Sequence, residues 1–135
     1  MDELFGVLPL EKNQAGDYTQ YSPLVLAYIG DAVYELYVRT RLVASENIKV
    51  NTLHKLATNY VKANGQSERF QTIEALLSED ELAVFKRGRN AKSHVPKNAE
   101  MNAYKRATGL EALVGMLYLC GKKERLDQLM SILLN

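Results

Sequence analysis

Two carboxylates stand where carboxylates are costly. Asp31 lies in the middle of "LAYIGDAVYELYV" (residues 26–38) and Glu111 in "ATGLEALVGMLYL" (residues 107–119), both otherwise almost wholly apolar. An ionised carboxylate among apolar neighbours is unfavourable unless a charge or hydrogen bonds compensate it. Ala27 precedes Asp31 by four positions and Gly30 adjoins it; Thr108 precedes Glu111 by three and Gly115 follows by four. Positions three and four apart share a helix face, so the small residues let two helices pack closely or leave a pocket beside the acids. Two convergent carboxylates in such a pocket suit a hard divalent cation. Mg²⁺ takes one or two protein carboxylates, keeps several waters and completes its shell with substrate phosphate. So held, it activates water and stabilises charge on a phosphodiester under hydrolysis. Ion pairs with buried arginines or lysines account for the same two acids, and the residue pattern alone favours them. Glu35, four residues after Asp31, is a third acid on that face, with Arg39 as a ready i,i+4 partner.

A second cluster is basic. The chain's net charge is only +1, but between Lys86 and Arg106 seven basic residues face a single acid, Glu100. The other residues of the chain carry ten basic and fifteen acidic side chains. A local positive field on a mildly acidic body points to a polyanionic partner, the alternative being a solvated loop between helices. The single cysteine, Cys120, reads as a small buried hydrophobe, and with only His54 and His94 beside it a structural zinc site is not expected. No apolar run reaches membrane-span length and the acidic N-terminus does not read as a signal peptide, so a cytoplasmic protein is expected.

The elements that must position these residues read as helices throughout: an all-α, compact helical bundle forming one domain over residues 1–135. Residues 1–21 read as an irregular lead. Ser22-Pro23 signals a helix start, serine as N-cap and proline at N1, for a helix to about Val43 that is apolar over most of its circumference and therefore central. A second helix opens at Asn51 or Thr52, is interrupted at Asn64-Gly65, and gives way to a third over "SERFQTIEALL". Ser78 with Glu81 forms a capping box for "EDELAVFKRGR". "GRNAKSHVPKN" reads as a loop, Asn98 as the cap of a fully buried helix over Ala99–Cys120, Gly121 as its stop, and "KERLDQLMSILL" as a closing amphipathic helix.

These segments resemble the ribonuclease III family. "LAYIGDAVYELYV" is similar to its signature helix, Glu-x-x-Glu-Phe-Leu-Gly-Asp-Ala-Val, and "ATGLEALVGMLYL" to its second acidic helix, Ala-Asp-x-x-Glu-Ala-x-x-Gly-x-x-Tyr-Leu. They occur in the right order and about 80 residues apart, as the family pattern has them. The loop "KRGRNAKSHVPKN" and the chain length further resemble the short bacterial branch, Mini-ribonuclease III, a stand-alone endonuclease domain without a double-stranded-RNA-binding domain. The resemblance, running from Ser22 onward, implies the ribonuclease III endonuclease fold, with Asp31 and Glu111 as catalytic ligands of Mg²⁺ and Tyr28 packing across a homodimer interface. Two of the four usual acids are replaced, by Ala27 and Thr108, so more of the cation's shell is expected to be water.

The same resemblance implies hydrolysis of double-stranded RNA that leaves a 5′-phosphate. It also implies maturation of the ends of large-subunit (23S) ribosomal RNA precursor, helped by a large-subunit ribosomal protein. A-form RNA is recognised through phosphates, 2′-hydroxyls and shape, so the catalytic domain must supply its own backbone contacts. Arg87, Arg89, Asn90, Lys92 and Lys97 are the expected ones, while Lys105 and Arg106 either join them or neutralise the acidic helix. A non-catalytic RNA-binding or ribosome-assembly module that retains the fold is the alternative, supported by the sparse acid set. A helical scaffold explains neither the paired acids nor the basic segment.

Overall fold

The computed structural model describes residues 18–97 and 99–135, and among them every regular element is helical. Six α-helices follow in order: α1 (Pro23–Ser45), α2 (Val50–Val61), α3 (Ala63–Phe70), α4 (Glu79–Asn90), α5 (Met101–Leu119) and α6 (Lys123–Leu133). A short 3₁₀ turn, Glu74–Leu76, joins α3 to α4. α5 is the central element, with α1, α3 and α4 packed around it. Its apolar residues run round the whole helix, so Leu110, Leu113, Val114 and Leu117 are all buried. α6 closes the far side with Leu126, Met130 and Leu133, and Phe70 of α3 stacks on Phe85 of α4 with ring centroids 3.9 Å apart.

α1 and α5 cross at glycine. A Cβ on Gly30 would lie 1.7 Å from the Glu111 carbonyl oxygen, and one on Gly115 would lie 2.0 Å from that of Leu26. Only hydrogen at both positions lets the two backbones meet. α4 reaches α5 in the same way, with Gly88 against Gly109.

Several local expectations are corrected. α1 is not buried all round: Leu26, Ala27, Gly30, Val33, Tyr34 and Val38 face the core, while Leu24, Val25, Tyr28, Leu36 and Val43 are exposed. Its apolar circumference exceeds what one neighbouring layer can cover. Ser22 holds the N-cap position, yet its side chain makes no capping bond. The break after α2 falls at Lys62, whose extended backbone ends one helix and begins the next, and not at Asn64-Gly65. Gly65 instead admits the carbonyl of Asn59, 2.2 Å from where its Cβ would be. α5 starts at Met101, capped by Glu100, whose carboxylate accepts from the N–H groups of Asn102 (3.0 Å) and Ala103 (2.7 Å). The expected cap, Asn98, and most of the expected irregular lead, residues 1–17, lie outside the described residues. Cys120 is half-buried at the C-cap of α5, not enclosed in the core.

Other signals match. The capping box on α4 is formed, Ser78 N–H to Glu81 Oε1 at 2.9 Å and Glu81 N–H to Ser78 Oγ at 3.2 Å. Glu81 does more than cap. Arg125 of α6 grips both its oxygens, at 2.8 and 2.7 Å, and holds its carboxyl below the ordinary glutamate range. Gly121 has φ +71° and ends α5, with Lys122 N–H donating to Leu117 O at 2.9 Å and Gly121 N–H to Tyr118 O at 3.1 Å.

Candidate active site

The α1–α5 crossing brings Asp31 and Glu111 together. Gly30, in van der Waals contact with the Glu111 backbone, sets the next residue of α1 beside the Glu111 side chain, so the Asp31 carboxyl interacts directly with that of Glu111. Asp31 itself is exposed, so the expectation of a buried acid there is corrected: it sits where the packed face of α1 turns toward solvent. Glu111 is the enclosed member. Burial, then the adjacent Asp31 charge and the bond to Asp31, push its carboxyl up to about 8, against the opposing effect of a hydrogen bond from Gln66. Two carboxyls this close favour holding one proton between them, and the rise at Glu111 is in that direction.

A like-charged, all-oxygen pair of this kind fits a hard divalent cation, whose charge would take the place of the proton. Among the described residues no group of three or more His, Cys, Asp or Glu assembles anywhere. Ala27 and Thr108 are both buried and leave the site with two acids. Glu35 is engaged by Arg39, as its spacing suggests.

Behind the acids lies α3. Gln66, almost fully enclosed, donates from Nε2 to Glu111 Oε2 at 3.3 Å. Its neighbour Ser67 accepts from Arg106 Nη1 at 3.2 Å. Arg106 then opens onto a groove of about 360 Å³ lined by Arg89, Asn90, Asn102 and Lys105. A positive surface thus begins one residue from the acidic pair's own hydrogen-bond partner. Lys105 and Arg106 thus take the first of their two expected places, beside Arg89 and Asn90. Gln66 and Asn102 are not among the expected site residues, and nothing local marks Gln66.

The expected RNA-contacting residues do not all share this surface. Arg89 and Asn90 line the groove. Lys92 and Lys97 are exposed in the following loop, as is His94. Arg87 points elsewhere: its guanidinium donates to the carbonyls of Thr19 and of Tyr21, the latter at 2.7 Å, and borders a separate cavity of about 680 Å³. Tyr28 is 83% exposed, with Leu24 and Val25 beside it on α1. His54 is exposed and apart from the acids, on α2.

The model of the ribonuclease III domain matches residues 24–122 of this all-helical chain, a span that includes both Asp31 and Glu111. The chain belongs to this family. Within it, similar curated proteins carry the name Mini-ribonuclease 3. The one from Thermoanaerobacter sp. is 54% identical over 112 residues, 82% of this chain and 79% of the relative. That of Clostridium tetani is 47% identical over 121 residues, 88% and 80% of the two chains. A crystal structure of a Fusobacterium nucleatum protein superposes with a TM-score of 0.78 at 34% identity, covering 88% of this chain and 96% of that one.

Proposed function

We propose that this chain is an endoribonuclease that hydrolyses double-stranded RNA, with Mg²⁺ held by Asp31 and Glu111. The observation that carries the reading is the close backbone crossing of α1 and α5 at Gly30, which brings Asp31 and Glu111 side by side. Membership of a ribonuclease family and the neighbouring basic groove support it. When bound, the cation supplies Lewis acidity at the phosphodiester and charge compensation for the leaving oxygen. The chain's own part is to hold that cation, to fix the strand and to orient the scissile phosphate.

Arg89, Asn90, Lys92 and Lys97, joined by Lys105 and Arg106, contact the RNA backbone; Arg87 acts less directly, by tying α4 to the segment before α1. The product carries a 5′-phosphate. The active form is a homodimer that uses the exposed apolar face of α1 around Tyr28, so that each subunit cuts one strand. The substrate is the precursor of large-subunit ribosomal RNA, presented with the help of a ribosomal protein, which places the work in the cytoplasm. No helix among the described residues is long and apolar enough to cross a membrane.

The presence of Ala27 and Thr108 where two further acids would stand favours a second reading, an RNA-binding module without catalysis. Incubation with a double-stranded RNA and Mg²⁺ separates the two. Cleavage by the parent and none by Asp31→Asn or Glu111→Gln supports the nuclease. Binding without cleavage by the parent, across a range of divalent cations, overturns it.

A further inference from the structure

We infer that Gln66 is a positioning residue for the metal-binding pair, orienting the Glu111 carboxylate toward Asp31. This rests on the reading of Asp31 and Glu111 as cation ligands. Gln66 is 2% exposed, and a long polar side chain held that deep has lost both its solvation and its rotamer freedom. Its Nε2 donates to Glu111 Oε2 across 45 positions of sequence, from α3 to α5. The bond takes one oxygen of Glu111 and leaves the other for the site.

The amide is suited to this task by its chemistry. Its NH₂ group only donates, so it can bond a Glu111 oxygen and takes no part as an acceptor. Being neutral, it does so without cancelling the negative charge that a cation needs; a lysine or arginine there would compete with the metal. The present length, 3.3 Å, lies at the long end for N–H···O. Partners of this kind, which orient a metal ligand from behind, change metal affinity or activity by about 10- to 100-fold when removed. The adjacent Ser67 holds Arg106, so one turn of α3 sets the register between the acids and the basic groove.

The test compares the parent chain with Gln66→Met, which keeps the length and apolar bulk but removes the donor. Mn²⁺ binding is read by the electron-paramagnetic-resonance signal of the free ion, alongside urea unfolding and steady-state cleavage. Mn²⁺ affinity about tenfold weaker in a folded Gln66→Met, with kcat reduced and KM for RNA unchanged, supports the assignment. Affinity and kcat within twofold of the parent overturn it, since a purely structural glutamine would alter the urea midpoint and not the metal. Should Gln66→Met fail to fold, the parent decides. The side-chain amide resonances of Gln66 shift with the Mg²⁺-binding midpoint if the bond responds to the ion, and their constancy through the titration overturns the inference. A parent that binds no Mn²⁺ overturns the metal site itself, and this inference with it; a parent that binds while the variant matches it overturns this inference alone.

Discussion

Gly30 of α1 lies so close to the Glu111 carbonyl that a Cβ would sit 1.7 Å from the oxygen. Backbone contact at this one point is what puts the Asp31 carboxyl within reach of Glu111. Gly30→Ala therefore has two expected consequences that a surface alanine would not. Overpacking against rigid backbone lowers stability by about 3 kcal/mol, read as a fall in the urea midpoint. Asp31 is also moved away from Glu111, so Mg²⁺ protects the variant against urea less than it protects the parent. A Gly30→Ala chain with the parent's midpoint and the parent's response to Mg²⁺ would show that the crossing can open at no cost.

The acid pair makes stability depend on pH in a direction opposite to an ordinary salt-bridged carboxylate. Glu111 is raised from 4.5 to about 8 by burial and by Asp31. The folded chain then holds a proton that the unfolded chain releases, so raising pH between those values favours unfolding. A bound cation takes the proton's place, and the stabilisation it gives grows over the same interval. Urea midpoints of the parent at about pH 5 and about pH 8, with and without Mg²⁺, check both signs. Glu111→Gln serves as the reference that cancels every other titrating group. If the parent and Glu111→Gln follow the same pH course without metal, the pair is not coupled in solution.

The two acids were legible as unusual because the signal is local: an acid flanked by small residues on an apolar helix shows in a short window, while their reading as a pair came from the family resemblance. The all-helical fold was legible for the same reason, through apolar periodicity, the Ser78–Glu81 box and the Gly121 stop. What escaped depends on tertiary placement. The bond from Gln66 to Glu111 joins residues 45 apart, and no local pattern separates this glutamine from a solvated one. Asn64-Gly65 has the composition of a turn, but the break falls at Lys62, and Gly65 serves a close approach to Asn59. The exposed apolar side of α1 has the pattern of core because periodicity reports how much of a helix is apolar, not how much of it the same chain covers.

Arg87 and Arg89 show the same limit, and they yield a prediction. Two residues apart on a helix they point about 200° from each other, one to the carbonyls of Thr19 and Tyr21, the other into the groove with Lys105 and Arg106. Arg89→Ala is expected to weaken RNA binding about equally across sequences and to reduce the salt slope by about one. Arg87→Ala is expected to lower the thermal midpoint with a smaller effect on binding. Filter binding across a salt series and thermal melts of both variants decide it. A larger salt-slope change in Arg87→Ala than in Arg89→Ala would place the RNA on the other side of α4.

Tyr28 is 83% exposed, and Leu24 and Val25 of the same helix are exposed beside it. Single exposed apolar side chains are ordinary, but a contiguous set on one helix marks a surface that another protein covers. Tyr28 also precedes Asp31 by three residues, so both lie on one flank of α1, and whatever covers Tyr28 borders the acid pair. A second copy of the chain would bury this apolar strip and bring two acid pairs to the two ends of one interface, the arrangement needed to cut both strands of a duplex. Tyr28→Asp places a charge in the middle of the strip, where it must be desolvated on association. The expected outcome by sedimentation at micromolar concentration is a dimeric parent and a monomeric Tyr28→Asp. The variant should retain the parent's helical content and, because Asp31 and Glu111 belong to one subunit, its Mn²⁺ affinity, while cleavage of double-stranded RNA falls at least tenfold, on the order of 1.4 kcal/mol. A parent that sediments as a monomer while cleaving both strands would remove α1 from the interface and require each subunit to engage the duplex alone.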